Sequence, residues 1–163
     1  MAAQFPEIEV GVAIIRHQGK VLLVYNPRWG AFTLPMSKRH ERADPRLPDG
    51  RHVESYQSAA ARAAAEVLGR TVPAFPSEPA FVLPKFDQSD SDGQWKRYCF
   101  QAFELELPAD FDPQRPGSLA PGAVVEFLTD VEVGDMSRMP ISDTARDLIA
   151  QLHNPDRRRP ARR

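Results

Sequence analysis

Residues 54–69 read ESYQSAAARAAAEVLG, and this stretch decides the fold. Ser55 is placed to cap a helix, six of the thirteen residues from Tyr56 to Leu68 are alanine, and Gly69 suits the left-handed position that ends one. The pattern predicts a helix over Ser55 to Leu68. An alanine-rich face keeps side-chain bulk small, so such a helix can lie close against a sheet.

Upstream, Glu9 to Arg16 and Val21 to Tyr25 have strand character, joined by the turn His17-Gln18-Gly19-Lys20. Ala31 to Leu34 is a third short strand, closed by Pro35. Residues 38–52 (KRHERADPRLPDGRH) show no apolar periodicity and contain two prolines, which predicts a charged loop. Downstream, Phe81 to Leu83 and Tyr98 to Leu107 form a second hairpin across the polar stretch 87–94. In Tyr98 to Leu107 both alternating sets carry bulky apolar residues (Tyr98 and Phe100; Cys99, Phe103 and Leu105), so the sheet is expected to be covered on both faces. Val124 to Leu128 adds a strand. Ser142 caps a last helix with Ala145, Leu148, Ile149 and Leu152 at helical spacing, stopped by Pro155. The sum is a single α/β domain over residues 1–153, a sandwich with a mixed sheet.

Composition agrees. A chain of 163 residues, 42% hydrophobic and 26% charged, matches one globular domain. No apolar run reaches the roughly 18 residues of a membrane span, and the first ten residues carry early acids rather than the apolar core of a secretory signal. One cysteine, Cys99, excludes an internal disulfide and a cysteine-rich zinc site. A cytoplasmic protein is expected. The net charge of −1 conceals an asymmetry: removing the five arginines and the one aspartate of residues 154–163 leaves 16 basic and 21 acidic residues, a body of −5. The Arg-rich tail is expected to be disordered and solvated, with contact to nucleic acid or an acidic partner as the less favoured alternative.

From Trp29 to Gly69 the order of hairpin, short strand ending in Leu-Pro, loop and alanine-rich helix resembles the Nudix hydrolase superfamily. The signature of that superfamily is a glycine, five variable residues, a glutamate, seven variable residues and then R-E-U-x-E-E-x-G-U, with U a bulky aliphatic. Here Glu54 is followed by seven residues and then Arg62-Ala63-Ala64-Ala65-Glu66-Val67-Leu68-Gly69, so Glu54, Arg62, Glu66 and Gly69 fall in register. The resemblance implies a Nudix-like α/β/α sandwich with a mixed β-sheet and a nucleotide-like small-molecule ligand. It also implies a divalent cation, Mg2+ or Mn2+, held by carboxylates of the helix. Glu54 and Arg62 correspond to the pair that ties the loop to the helix, and Glu66 to a metal ligand. Lys38 and Arg39 follow the point where the backbone approaches phosphate, and cationic side chains there suit phosphate oxygens.

The departures fall on the chemistry. Met36-Ser37 replaces a glycine pair, and sixteen residues separate Ser37 from Glu54 where the signature has five. Positions 63, 66 and 67 share one helical face, yet two of the three carboxylates are replaced by Ala63 and Val67. Magnesium requires hard oxygen ligands, so one glutamate makes a poor site unless carboxylates elsewhere, such as Asp87, Glu104, Glu106 or Glu126, complete it. Metal-dependent hydrolysis is therefore expected to be impaired or absent. The chain would then bind a nucleoside-diphosphate-type ligand or a partner. The alternative is an active hydrolase that cleaves a nucleoside diphosphate linked to another moiety through a rebuilt metal site. Trp29, Phe32 and Trp95 could offer stacking surface to a base, or simply pack in the core.

Overall fold

A computed structural model describes residues 4–72, 75, 78–89, 91–135 and 139–154. Strands β1 (Glu7–His17) and β2 (Lys20–Asn26) form a hairpin whose two linking residues, Gln18 and Gly19, both have positive φ, at 52° and 75°. That geometry matches the twist of the paired strands. β3 (Ala31–Thr33) continues the sheet from β2, and β4 (Met36–Lys38) turns back to pair with Val10 to Val12 of β1. Then follow β5 (Glu41–Ala43), β6 (Arg51–Val53), helix α1 (Tyr56–Leu68), β7 (Phe81–Gln88) and β8 (Trp95–Glu106). β9 (Val125–Leu128), α2 (Asp130–Gly134) and α3 (Asp143–Leu152) complete the order.

The main sheet runs β3-β2-β1-β8-β7, with β4 on β1 and β9 on β2. β1 and β8 are parallel over Glu7 to Arg16, while the other pairs are antiparallel, so the sheet is mixed. The alternation of β1 divides the core in two. Val10, Val12 and Ile14 face Ala145, Leu148, Ile149 and Leu152 of α3, whereas Ala13 and Ile15 face Ala60, Ala64, Val67 and Leu68 of α1. The result is the expected α/β/α sandwich.

α1 is capped as the sequence predicts. The Ser55 hydroxyl accepts from the Ser58 amide at 3.0 Å, and Gly69 closes the helix at φ 68°. The alanine face allows an unusually close approach: a Cβ on Gly11 of β1 would lie 2.3 Å from the Tyr56 carbonyl oxygen and 2.7 Å from the Ala60 nitrogen.

Four elements, β4, β5, β6 and α2, depart from expectation. The stretch 38–52 is not loop throughout. Lys38 ends β4, and β5 pairs with β6 through Glu41–Val53, Arg42–His52 and Ala43–Arg51 as a small ribbon. Its strands are three exposed residues each, too short and too polar to give a periodic signal. β4 is equally short. α2 carried a legible signal, the Thr129…Glu132 capping box, in which each side chain bonds the other's backbone amide. Of the Arg-rich stretch 154–163, only Asn154 lies within the described residues. Among those residues no helix is long and apolar enough to cross a membrane.

Gly11→Ala tests the close packing of α1 on β1. The added methyl meets backbone on both sides, so the cost should be on the order of 3 kcal/mol, a melting-temperature drop of roughly 6–12 °C. An unchanged melting temperature would show that α1 sits further from the sheet.

Candidate functional site

A cleft of about 1350 Å³ opens on the face of the sheet shared with α3. Its floor includes Ile8 and Val10 of β1, Met36 of β4, and Tyr98 and Phe100 of β8, the last two stacked with centroids 5.7 Å apart. Around it stand the turn after β2 with Arg28 and Trp29, the start of α3, and Ala63, Glu66 and Val67 of α1. Trp29 is 42% exposed and Tyr25 38%, so aromatic surface is available in the cleft.

Arg62 organises one wall. Its Nη2 donates to Glu54 Oε1 at 2.8 Å and to the Lys38 carbonyl at 3.0 Å, its Nη1 donates to Ser37 Oγ at 2.7 Å, and its Nε donates to Glu54 Oε2 at 3.3 Å. Glu54 accepts in addition from the His40 amide at 3.0 Å and the Ser58 hydroxyl at 3.3 Å. The Arg62 guanidinium, followed by the His40 amide, holds the Glu54 carboxyl below its ordinary value of 4.5. Glu54 and Arg62 thus meet, and their contacts join loop, strand β4 and helix.

Lys38 and Arg39 go separate ways. Lys38 lines the cleft. Arg39, the next residue on extended backbone, points to the other side. There its Nη1 bonds Glu9 and its guanidinium lies 4.5 Å from the centre of the Tyr56 ring. The Arg39 side chain therefore packs against Glu9 and Tyr56 and is not among the residues lining the cleft. Residues 40–53 do not line the cleft either, so the charged insertion turns away from it.

The helical face that carries carboxylates in the signature is otherwise here. Ala63 is 3% exposed and Val67 7%, and Val67 packs into the α1-side core. The Glu66 side chain is 70% exposed, with Arg62 Nη1 at 3.9 Å. Asp87 lines the cleft but is engaged by Lys85 at 3.2 Å. Glu104 pairs with Arg16 at 3.3 Å, and neither it nor Glu106 nor Glu126 lines the cleft. Among the described residues no three histidine, cysteine, aspartate or glutamate side chains converge as a metal site would require. Among the described residues, the donor set does not fit the divalent cation that the resemblance implies. Arg28, a cation of this cleft, had no signal in the sequence beyond its place in a turn.

No family model and no curated protein sequence matches the chain. Solved structures do. The E. coli ORF135 protein is 22% identical with a TM-score of 0.58, covering 97% of this chain and 96% of that one. A NUDIX hydrolase from Nitrosomonas europaea is 22% identical with a TM-score of 0.54, covering 97% and 94%. The NUDIX domain of Shewanella oneidensis NrtR, solved in complex with ADP ribose, is 19% identical with a TM-score of 0.52, covering 93% and 88%. The chain has the Nudix fold.

Glu54 gives a pH test. Its carboxyl is depressed in the folded protein, so its contribution is complete above about pH 4.5 and is lost as pH falls through the lower folded value. Arg62→Ala leaves that half-buried carboxylate without its main partner and should cost about 2 kcal/mol at pH 7. Urea midpoints should show the gap between wild type and Glu54→Gln narrowing below pH 4.5. A gap that stays constant down to pH 3 would contradict the pairing.

Proposed function

We propose that this chain is a Nudix-fold protein that binds a nucleoside-diphosphate-type ligand in the cleft, with metal-dependent hydrolysis impaired or absent. One observation carries the reading: α1 turns Ala63 and Val67, both apolar and buried, toward the cleft and retains a single carboxylate, Glu66, there. Without converging oxygen ligands, neither Mg2+ nor Mn2+ would be placed to activate water. Glu66 is at most a lone ligand. The cleft itself persists, with Trp29 and Tyr25 available to stack on a planar group and Lys38 at its edge. The ADP ribose in the NrtR complex supports a nucleotide-like small molecule as the partner.

Calorimetry of the full chain with ADP-ribose and ADP, in millimolar Mg2+ and in EDTA, combined with chromatographic assay of AMP release, tests this. Binding without turnover is expected. Mg2+-dependent AMP release at about 1 s⁻¹ or faster, within the ordinary range of enzymes, would establish the hydrolase alternative instead.

A further inference from the structure

The ion pairs of the cleft leave a specific remainder. Among the described residues, four cations line it: Arg28, Lys38, Lys85 and Lys96. Lys85 Nζ is held by Asp147 at 2.7 Å and Asp87 at 3.2 Å, and Lys96 Nζ by Asp92 at 2.9 Å. Three carboxylates among the described residues line it: Glu66, Asp87 and Asp143. Asp87 is taken by Lys85, Asp143 by Arg146 at 2.6 Å, and Glu66 lies 3.9 Å from Arg62. Among the described residues, Arg28 and Lys38 are the cleft's two cations without a carboxylate partner. The uncompensated charge of the cleft, among the described residues, is positive.

Both cations rise from pinned backbone. The Lys38 carbonyl accepts from Arg62 and the neighbouring Ser37 hydroxyl does the same, while β4 is paired to β1. The Arg28 amide donates to Asn26 Oδ1 at 3.0 Å, and the Trp29 amide donates to the Asn26 carbonyl at 3.1 Å, which closes the turn. Fixed stems reduce the ordering cost of binding.

We infer that Arg28 and Lys38 form a metal-independent clamp for the diphosphate of the ligand, and that Glu66, in the lining of the same cleft, opposes binding instead of assisting it. The inference rests on the ligand reading proposed above. A diphosphate carries charge that a metal would otherwise neutralise; here a guanidinium and an ammonium supply that neutralisation. Arg62, already bonded to Glu54, lies 3.9 Å from Glu66, so without a bound metal the Glu66 carboxylate is a like charge near the phosphates. This reverses the sign of what Glu66 does.

Calorimetry with ADP and with inorganic pyrophosphate as probes, in EDTA and in Mg2+, distinguishes the possibilities. ADP should bind in EDTA, and more weakly as NaCl is raised. Arg28→Ala and Lys38→Ala should each weaken binding of both probes about tenfold, with melting temperatures unchanged because both side chains are exposed. Glu66→Gln should tighten binding in EDTA by about two- to threefold. ADP bound only in Mg2+, or weakened by Glu66→Gln, would overturn the clamp while leaving the ligand reading intact. Binding in EDTA that is indifferent to both cation substitutions would also overturn it. Absence of ADP binding in either buffer would overturn the ligand reading itself.

Discussion

The guanidinium of Arg62 is the tie on which the cleft depends. It reaches from α1 to the Glu54 carboxylate, the Ser37 hydroxyl and the Lys38 carbonyl, so one side chain fixes the helix, β4 and the end of the insertion together. Charge-assisted bonds of this kind are the stronger ones. The same carboxylate also receives the His40 amide, and the Glu54 amide donates to the His40 carbonyl at 2.8 Å. The insertion therefore leaves and returns at one anchored point. Since closure entropy rises slowly with loop length, sixteen residues can be accommodated there without moving the cleft. The ribbon of β5 and β6 projects from that point with its own pairs, Arg51–Glu41 and Arg46–Asp44, both at 3.0 Å.

A second constraint acts on the neighbouring turns of α1. The helix lies so near β1 that Gly11 has no room for a side chain, and the buried alanines are what permit that distance. Positions 63 and 67 lie between this packed face and the cleft. Apolar residues there let Val67 join the core, which favours a stable helix–sheet contact over a set of mutually repelling carboxylates. On the reading proposed above, scaffold and catalytic chemistry are separable in this fold: Glu54 and Arg62 tie the loop to the helix, while Ala63 and Val67 offer no oxygen ligand beside Glu66.

Much of this was legible in the residues, and the exceptions have physical causes. The serine and glycine caps of α1, the positive-φ turn at Gln18-Gly19 and the two-sided apolar pattern of β8 are local signals, and each corresponds to an observed element. The pairing of Glu54 with Arg62 followed from spacing within the resemblance. Ribbon strands of three exposed residues bury nothing, so hydrophobic pattern could not reveal them. The separation of Lys38 from Arg39 could not be read from sequence, because adjacent residues on extended chain face opposite sides and nothing in the pattern marks residues 36–38 as a strand. Arg28 could be recognised only when three-dimensional ion pairing showed which cations remained uncompensated.

The state of the helix face is open to direct measurement. Titration of the full chain with Mn2+, followed by electron paramagnetic resonance in the absence of nucleotide, counts bound cations without requiring turnover. With Glu66 as the only carboxylate of α1 at the cleft, the signal should remain that of free aquo-Mn2+ through the micromolar range, and Glu66→Gln should behave identically. Stoichiometric micromolar binding that Glu66→Gln abolishes would show a metal centre assembled around Glu66, and would contradict the separation of scaffold from metal chemistry.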